Sequence, residues 1–108
     1  MRSGVLDRVF GALANPRRRQ IVTLLARRDR SVSAIASEFN ISQPAVTKHL
    51  NVLERAGLIE RRREGRTRQC SLRPEQLALP EAWVQGVHRY WEERLDALEA
   101  LIEEEKRG

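Results

Sequence analysis

The sequence predicts a mainly α-helical fold class with a small β-hairpin, and three features lead to it. Residues 31–57, SVSAIASEFNISQPAVTKHLNVLERAG, hold two short apolar repeats of helical period with a break between them. Residues 58–72 lose that period and become two short runs around Glu64-Gly65, the pattern of a tight hairpin. Residues 80–106 return to a long amphipathic repeat. At 108 residues the chain is expected to form one domain, 1–108, with a modest core that dimerisation would help.

In order along the chain, Val5, Leu6, Val9, Phe10 and Leu13 put an apolar face on a first helix that Asn15-Pro16 ends. A second helix is expected from Pro16 to about Arg27, with Ile21, Leu24 and Leu25 on its inner side. Arg17, Arg18 and Arg19 stand at its start, where cations oppose the helix dipole, so local stability does not account for them. Phosphate contact is one explanation; solvation or pairing with Asp7 is the other.

Within 31–57, Ser31 is a plausible cap for a helix that turns Val32, Ile35, Ala36 and Phe39 inward. Asn40 follows where the chain must turn sharply, and Asn tolerates the left-handed conformation better than any residue but Gly. Ser42 then caps a second helix, Pro44 occupies its first turn, and Gly57 stops it. Val46, Leu50 and Leu53 form its narrow inner stripe. Its outer face carries Gln43, Ala45, Thr47, Lys48, His49 and Asn51, a small, hydrogen-bonding and basic set. This is the pattern of a helix-turn-helix, in which residues 42–56 enter the major groove of double-stranded DNA.

The hairpin at 58–72 has Arg62, Arg63, Glu64, Gly65 and Arg66 at its tip, flanked by Arg61 and Arg68. An Arg-rich hairpin directly after a recognition helix is a wing, lying along the DNA backbone or in the minor groove; on its own, edge Arg would serve only to block strand pairing. A single turn at Pro74 to Leu77 leads to Pro80 and the final helix. There Val84, Val87, Trp91, Leu95, Leu98, Leu101 and Ile102 form a stripe suited to a counterpart across a two-fold axis, with the first helix beside it. An intramolecular cap on the domain is the other use of such a stripe.

Charge is unevenly placed. Residues 1–73 hold 16 Lys and Arg against 6 Asp and Glu, whereas residues 74–108 hold 4 against 9. A basic body with an acidic tail suits a polyanion bound at one end. No stretch has the apolar length to span a bilayer, so no membrane partner is expected. Ala12-Leu13-Ala14 imitates a signal-peptidase site, but Asp7 and Arg8 interrupt the apolar run it needs. The single cysteine, Cys70, fits a reducing compartment, and a cytoplasmic location is expected. Cys70 lies beside wing arginines, so a thiol-sensing role stands against that of a small half-buried strand residue. Two histidines and one cysteine, with no acid spaced to orient them, make no catalytic triad, and no enzyme activity is expected.

From about Leu13 onward the chain resembles the ArsR-type (ArsR/SmtB-like) winged-helix repressors, through ANPRRRQIVTLL, SVSAIASEFNISQPAVTKHLNVLERAGLI and ERRREGRTRQCSL. The final YWEERLDALEALIEEE is similar to a subgroup often encoded beside START-like proteins of the activator-of-heat-shock type. The resemblance implies a dimeric winged helix-turn-helix repressor with four helices, a two-stranded wing and a fifth helix, the first and fifth helices forming the dimer interface. Val5, Val9, Val84, Val87, Trp91, Leu95, Leu98 and Ile102 are the residues expected there. It also implies that Ser42, Gln43, Ala45, Thr47, Lys48 and His49 face DNA, and that Arg62, Arg63, Arg66 and Arg68 add backbone contacts.

Many members of that family sense metals, and the sequence departs from them. A thiolate site on the third helix needs a Cys-x-Cys pair, but the corresponding stretch is Ser33-Ala34-Ile35-Ala36-Ser37. A site on the last helix needs an acid and two histidines bridging subunits, and only His88, with Glu92 one turn on, is present. No metal and no cofactor is therefore expected. Trp83, Tyr90 and Trp91 are candidates for a small-molecule pocket or for packing, and the residues specify no inducer, small molecule or protein. The expected function is a repressor whose homodimer sets two recognition helices in successive major grooves, about 34 Å apart, on an inverted-repeat operator. The alternatives are a winged-helix module docking an acidic protein, or a metal- or thiol-responsive repressor.

Overall fold

The computed structural model describes residues 2–108, with side chains from Gly4 onward. Among the described residues are α1 (Arg2–Leu13), α2 (Pro16–Arg27), β1 (Arg30–Ser31), α3 (Val32–Phe39), α4 (Gln43–Arg55), β2 (Ile59–Glu64), β3 (Thr67–Leu72), a single 3-10 turn (Pro74–Leu77) and α5 (Ala78–Arg107). They divide into two compact units, one reaching to Ala78 and the other spanning Leu79–Gly108.

Capping sets most of the boundaries in the first unit. Asn15 is extended and its side chain accepts from the backbone N–H groups of Arg17 and Arg18, so it starts α2 as well as ending α1. Ser31 caps α3 through the Ala34 N–H, and Ser42 caps α4 through the Ala45 N–H. Asn40 takes the left-handed conformation at φ 53° and ψ 49°, which lets the Ile41 N–H reach back to the Ala36 carbonyl. Gly57, at φ 75°, ends α4 in the same way: the Leu58 N–H donates to the Leu53 carbonyl.

The core collects the inner stripes of these helices. Val9 and Ala12 of α1, Ile21, Leu24 and Leu25 of α2, Ile35 and Ala36 of α3, and Val46, Leu50 and Leu53 of α4 pack with Leu58, Ile59 and Cys70 from the sheet side. Val9 is wholly buried in this core, which corrects its expected place at the dimer interface: it has no surface left for a partner, whereas Val5 remains half-buried. The expected hairpin is the larger part of a three-stranded antiparallel sheet in the order β1-β3-β2. Arg30 and Ser31 pair with Cys70 and Gln69 on the outer side of β3. Two residues are too few to show an alternating pattern, so this strand left no trace in the sequence.

The second unit is α5 from Leu79 onward; the helix has 30 residues, follows the 3-10 turn directly and begins two residues before the expected Pro80. Proline is tolerated there because a helix's first turn leaves its N–H groups unpaired. Its apolar stripe is open: Val84, Trp91, Leu95 and Leu98 each keep more than half of their surface exposed.

Candidate nucleic-acid interface

The exposed side of α4 has two flanks with different neighbours. On one, Gln43 and Thr47 share a groove of about 400 Å³ with Ser31 and Ser33 from the start of α3 and with Arg66 and Arg68 from the hairpin. Gly65 builds the hairpin's tip: with Glu64 paired to Thr67, the loop is Gly65-Arg66, and the positive φ of 60° falls on its first residue as a two-residue turn of this type requires. That turn brings two cations and the N-terminal part of α4 to one opening.

On the other flank lies His49, half-buried and next to the start of α2. Burial, and then the charges of Arg18 and Arg17, lower its pKa below the usual imidazole value. His49 therefore stays neutral at neutral pH and does not share the groove of Gln43 and Thr47. Ser42 and Lys48 are exposed and Ala45 is half-buried, outside that groove.

The arginines at the start of α2 have local partners after all. Arg18 donates from Nε to the Ala12 carbonyl at 2.7 Å and from an Nη to the Gly11 carbonyl at 3.1 Å, and Arg19 donates to the Leu13 carbonyl at 2.8 Å. These carbonyls belong to the last turn of α1, the negative end of its dipole. The Arg17 guanidinium lies 5.0 Å over the Phe39 ring. What opposes the dipole of α2 thus satisfies that of α1.

The wing arginines also divide. Strand pairing sets Arg61 opposite Cys70 and Arg63 opposite Arg68 on one face, with Arg62 opposite Gln69 on the other. Arg61 donates to both Glu54 carboxylate oxygens, at 2.6 and 3.3 Å, and to the Asn51 side chain at 2.8 Å. These hydrogen bonds hold the Glu54 pKa below the ordinary carboxylate value. Arg62 pairs with Asp29 at 3.2 Å, and the Ser71 hydroxyl donates to the same oxygen at 2.8 Å. Arg62, expected at the DNA backbone, is paired in this way with the loop before β1 and remains about half exposed. The side chains of Arg63, Arg66 and Arg68 are exposed and make no direct hydrogen bond or ion pair among the described residues. The arginine run gave no sign of this split, although strand alternation separates Arg62 from its neighbours.

Cys70 is fully buried, and desolvation pushes its thiol pKa up to about 11 despite the nearby Arg61. That is the opposite of what a reactive thiol needs. On α5, His88 is hydrogen-bonded to Glu92 at 2.9 Å; among the described residues no three His, Cys, Asp or Glu side chains gather in a way that could hold a metal ion. Trp83 and Trp91 border an open depression with Val84, Val87 and Leu95, while Tyr90 borders a second depression with Leu98 and Leu101. No helix is long and apolar enough to cross a membrane among the described residues.

Comparison with known proteins gives the family of the chain. Residues 15–61, from the cap of α2 to the start of β2, match the family model described as bacterial regulatory protein, arsR family. The chain is 37% identical over 99 residues to the HTH-type transcriptional regulator Rv2034 of Mycobacterium tuberculosis, covering 92% of this chain and 90% of that one. It is 42% identical over 60 residues to the transcriptional repressor SdpR of Bacillus subtilis, covering 56% and 67% respectively. Among solved structures, the homodimeric winged helix-turn-helix DNA-binding domain of Mb0332 from Mycobacterium bovis matches with a TM-score of 0.66 at 37% identity, over 84% of each chain. The chain belongs to the arsR family of bacterial regulatory proteins.

Proposed function

We propose that the protein is a cytoplasmic, dimeric, sequence-specific DNA-binding transcriptional repressor. The observation that carries this reading is the groove in which Gln43 and Thr47 meet Arg66 and Arg68. Side chains that hydrogen-bond base edges stand there beside cations suited to phosphate, and specific recognition needs both kinds of contact. The polar character of the α4 face, with side chains able to read base edges, favours DNA over a protein-docking module, for which an exposed apolar patch would be the mark. A buried thiol of raised pKa speaks against thiol sensing.

In this reading α4 lies in the major groove with its N-terminal residues toward the bases. Gln43 and Thr47 choose the sequence, Lys48 with Arg63, Arg66 and Arg68 neutralises phosphates, and Ser42 and Ala45 lie at the close approach. His49 supports α4 from the α2 side as a neutral imidazole. The stripe of Val84, Val87, Trp91, Leu95, Leu98 and Ile102 joins two copies, with Val5 of α1 contributing, so that two recognition helices meet an inverted repeat. Occupying a promoter in this way blocks transcription, and the similarity to a protein named as a repressor supports that direction.

Two substitutions test the assignment. Lys48→Ala should weaken binding to all duplexes and lower the salt slope by about one unit, whereas Gln43→Ala should relax choice at one base position by about 1–3 kcal/mol. Unchanged binding in both variants would remove α4 from the interface.

A further inference from the structure

Two adjacent arginines of the wing are held from opposite sides, and one of them is tied to the recognition helix itself. The Arg61 guanidinium forks onto the Glu54 carboxylate and reaches the Asn51 side chain, and its own side chain is only 16% exposed. Asn51 and Glu54 lie one turn apart on α4, on the same flank as Gln43 and Thr47, since positions spaced by four, four and three share a helix face. Across the strand, Arg62 and Ser71 both bond Asp29. The hairpin is thus pinned midway along its strands, while its tip at Glu64, Gly65 and Arg66 is exposed.

Resting on the DNA-binding reading above, we propose that Arg61 is a positioning residue for DNA recognition: by bracing β2 against Asn51 and Glu54 it fixes the spacing between the wing cations and the base-reading side chains of α4. Three features of the arrangement support this over direct phosphate contact. The donors of Arg61 are already directed at Glu54 and Asn51. A carboxylate beside a phosphate contact would repel the DNA, whereas one that seats an arginine orients it. Asn51, which belongs to the polar face of α4, accepts from Arg61 through its Oδ1, so the brace acts directly on the recognition helix. A lysine at this position supplies a point charge without the planar fork, and so cannot hold both Glu54 oxygens and Asn51 together.

The test is a DNA titration across a salt series, using the full chain, a duplex from its own upstream intergenic region and a scrambled duplex of equal length. Arg61→Ala should weaken binding to the upstream duplex about tenfold and leave the scrambled duplex nearly unaffected, with the salt slope unchanged, since no phosphate contact is lost. Arg61→Lys should show a similar loss although the charge is kept. Glu54→Gln should lower the preference for the upstream duplex even though it removes a negative charge. Arg66→Ala provides the contrast: a loss on both duplexes and a slope reduced by about 0.9. A slope drop in Arg61→Ala, wild-type binding by Arg61→Lys, or tighter binding with full preference in Glu54→Gln would each overturn the positioning role and leave the DNA-binding reading intact. A wild-type protein with no preference for the upstream duplex would overturn both. The Lys and Gln variants keep the test decisive if Arg61→Ala does not fold.

Discussion

At His49, burial and two arginines act in the same direction, against the imidazolium. An unfolded chain takes up that proton near pH 6.5, so the folded state is penalised below it. The stability that neutral His49 contributes is fully present above about pH 6.5 and is lost as the pH falls toward the lower folded value. Glu54, whose pKa is also depressed in the fold, loses its contribution only below about pH 4.5. Denaturant midpoints should therefore fall between pH 7 and pH 5 in the wild type and fall less in His49→Gln; equal slopes in the two proteins would show that His49 is not penalised. His49 was visible in the sequence as a residue on the outer side of α4, but the arginines that set its charge come from another helix. The same holds for Arg18: its partners are the Ala12 and Gly11 carbonyls, which meet it only when α1 and α2 pack.

The elements themselves were largely legible, because their ends depend on a few residue types. Asn40 and Gly57 both take the positive φ that stops a helix in this way, and Ser31 and Ser42 both cap. Gly57 is the more demanding of the two stops. A Cβ there would meet the Gln76 side chain at 3.1 Å, in addition to the cost of the left-handed backbone. Gly57→Ala should lower the unfolding free energy by about 1–2 kcal/mol. An unchanged denaturation midpoint would mean that the end of α4 and the turn after Arg73 adjust freely. What the local pattern did not contain was β1, which exists only through its pairing with β3, and the two faces of the wing, which depend on register.

At the scale of the whole molecule, basic and acidic residues are separated: the first unit is strongly basic and α5 is acidic outside its apolar stripe. The stripe exposes Trp83, Val84, Trp91, Leu95, Leu98 and Leu101 by more than half, a contiguous apolar surface of the kind that marks an interaction site. Dimerisation along it was the natural expectation from the repeat, and Leu98→Glu, which sets a charge in its middle, should convert a dimer into a monomer at micromolar concentration by light scattering. A dimer of unaltered mass would assign the interface to another surface. The burial of Val9 limits what α1 adds to such an interface, a distinction that an amphipathic pattern cannot make because core and interface demand the same residues.

The most direct measurement is a titration of the purified protein against its own upstream intergenic DNA and a scrambled duplex of equal length, each at two salt concentrations. A dimeric, sequence-specific repressor predicts preferential binding to the upstream duplex, two protomers per site, and an affinity that falls steeply as salt rises. Equal binding to both duplexes at both salt concentrations would contradict it, leaving only a basic surface with affinity for any polyanion.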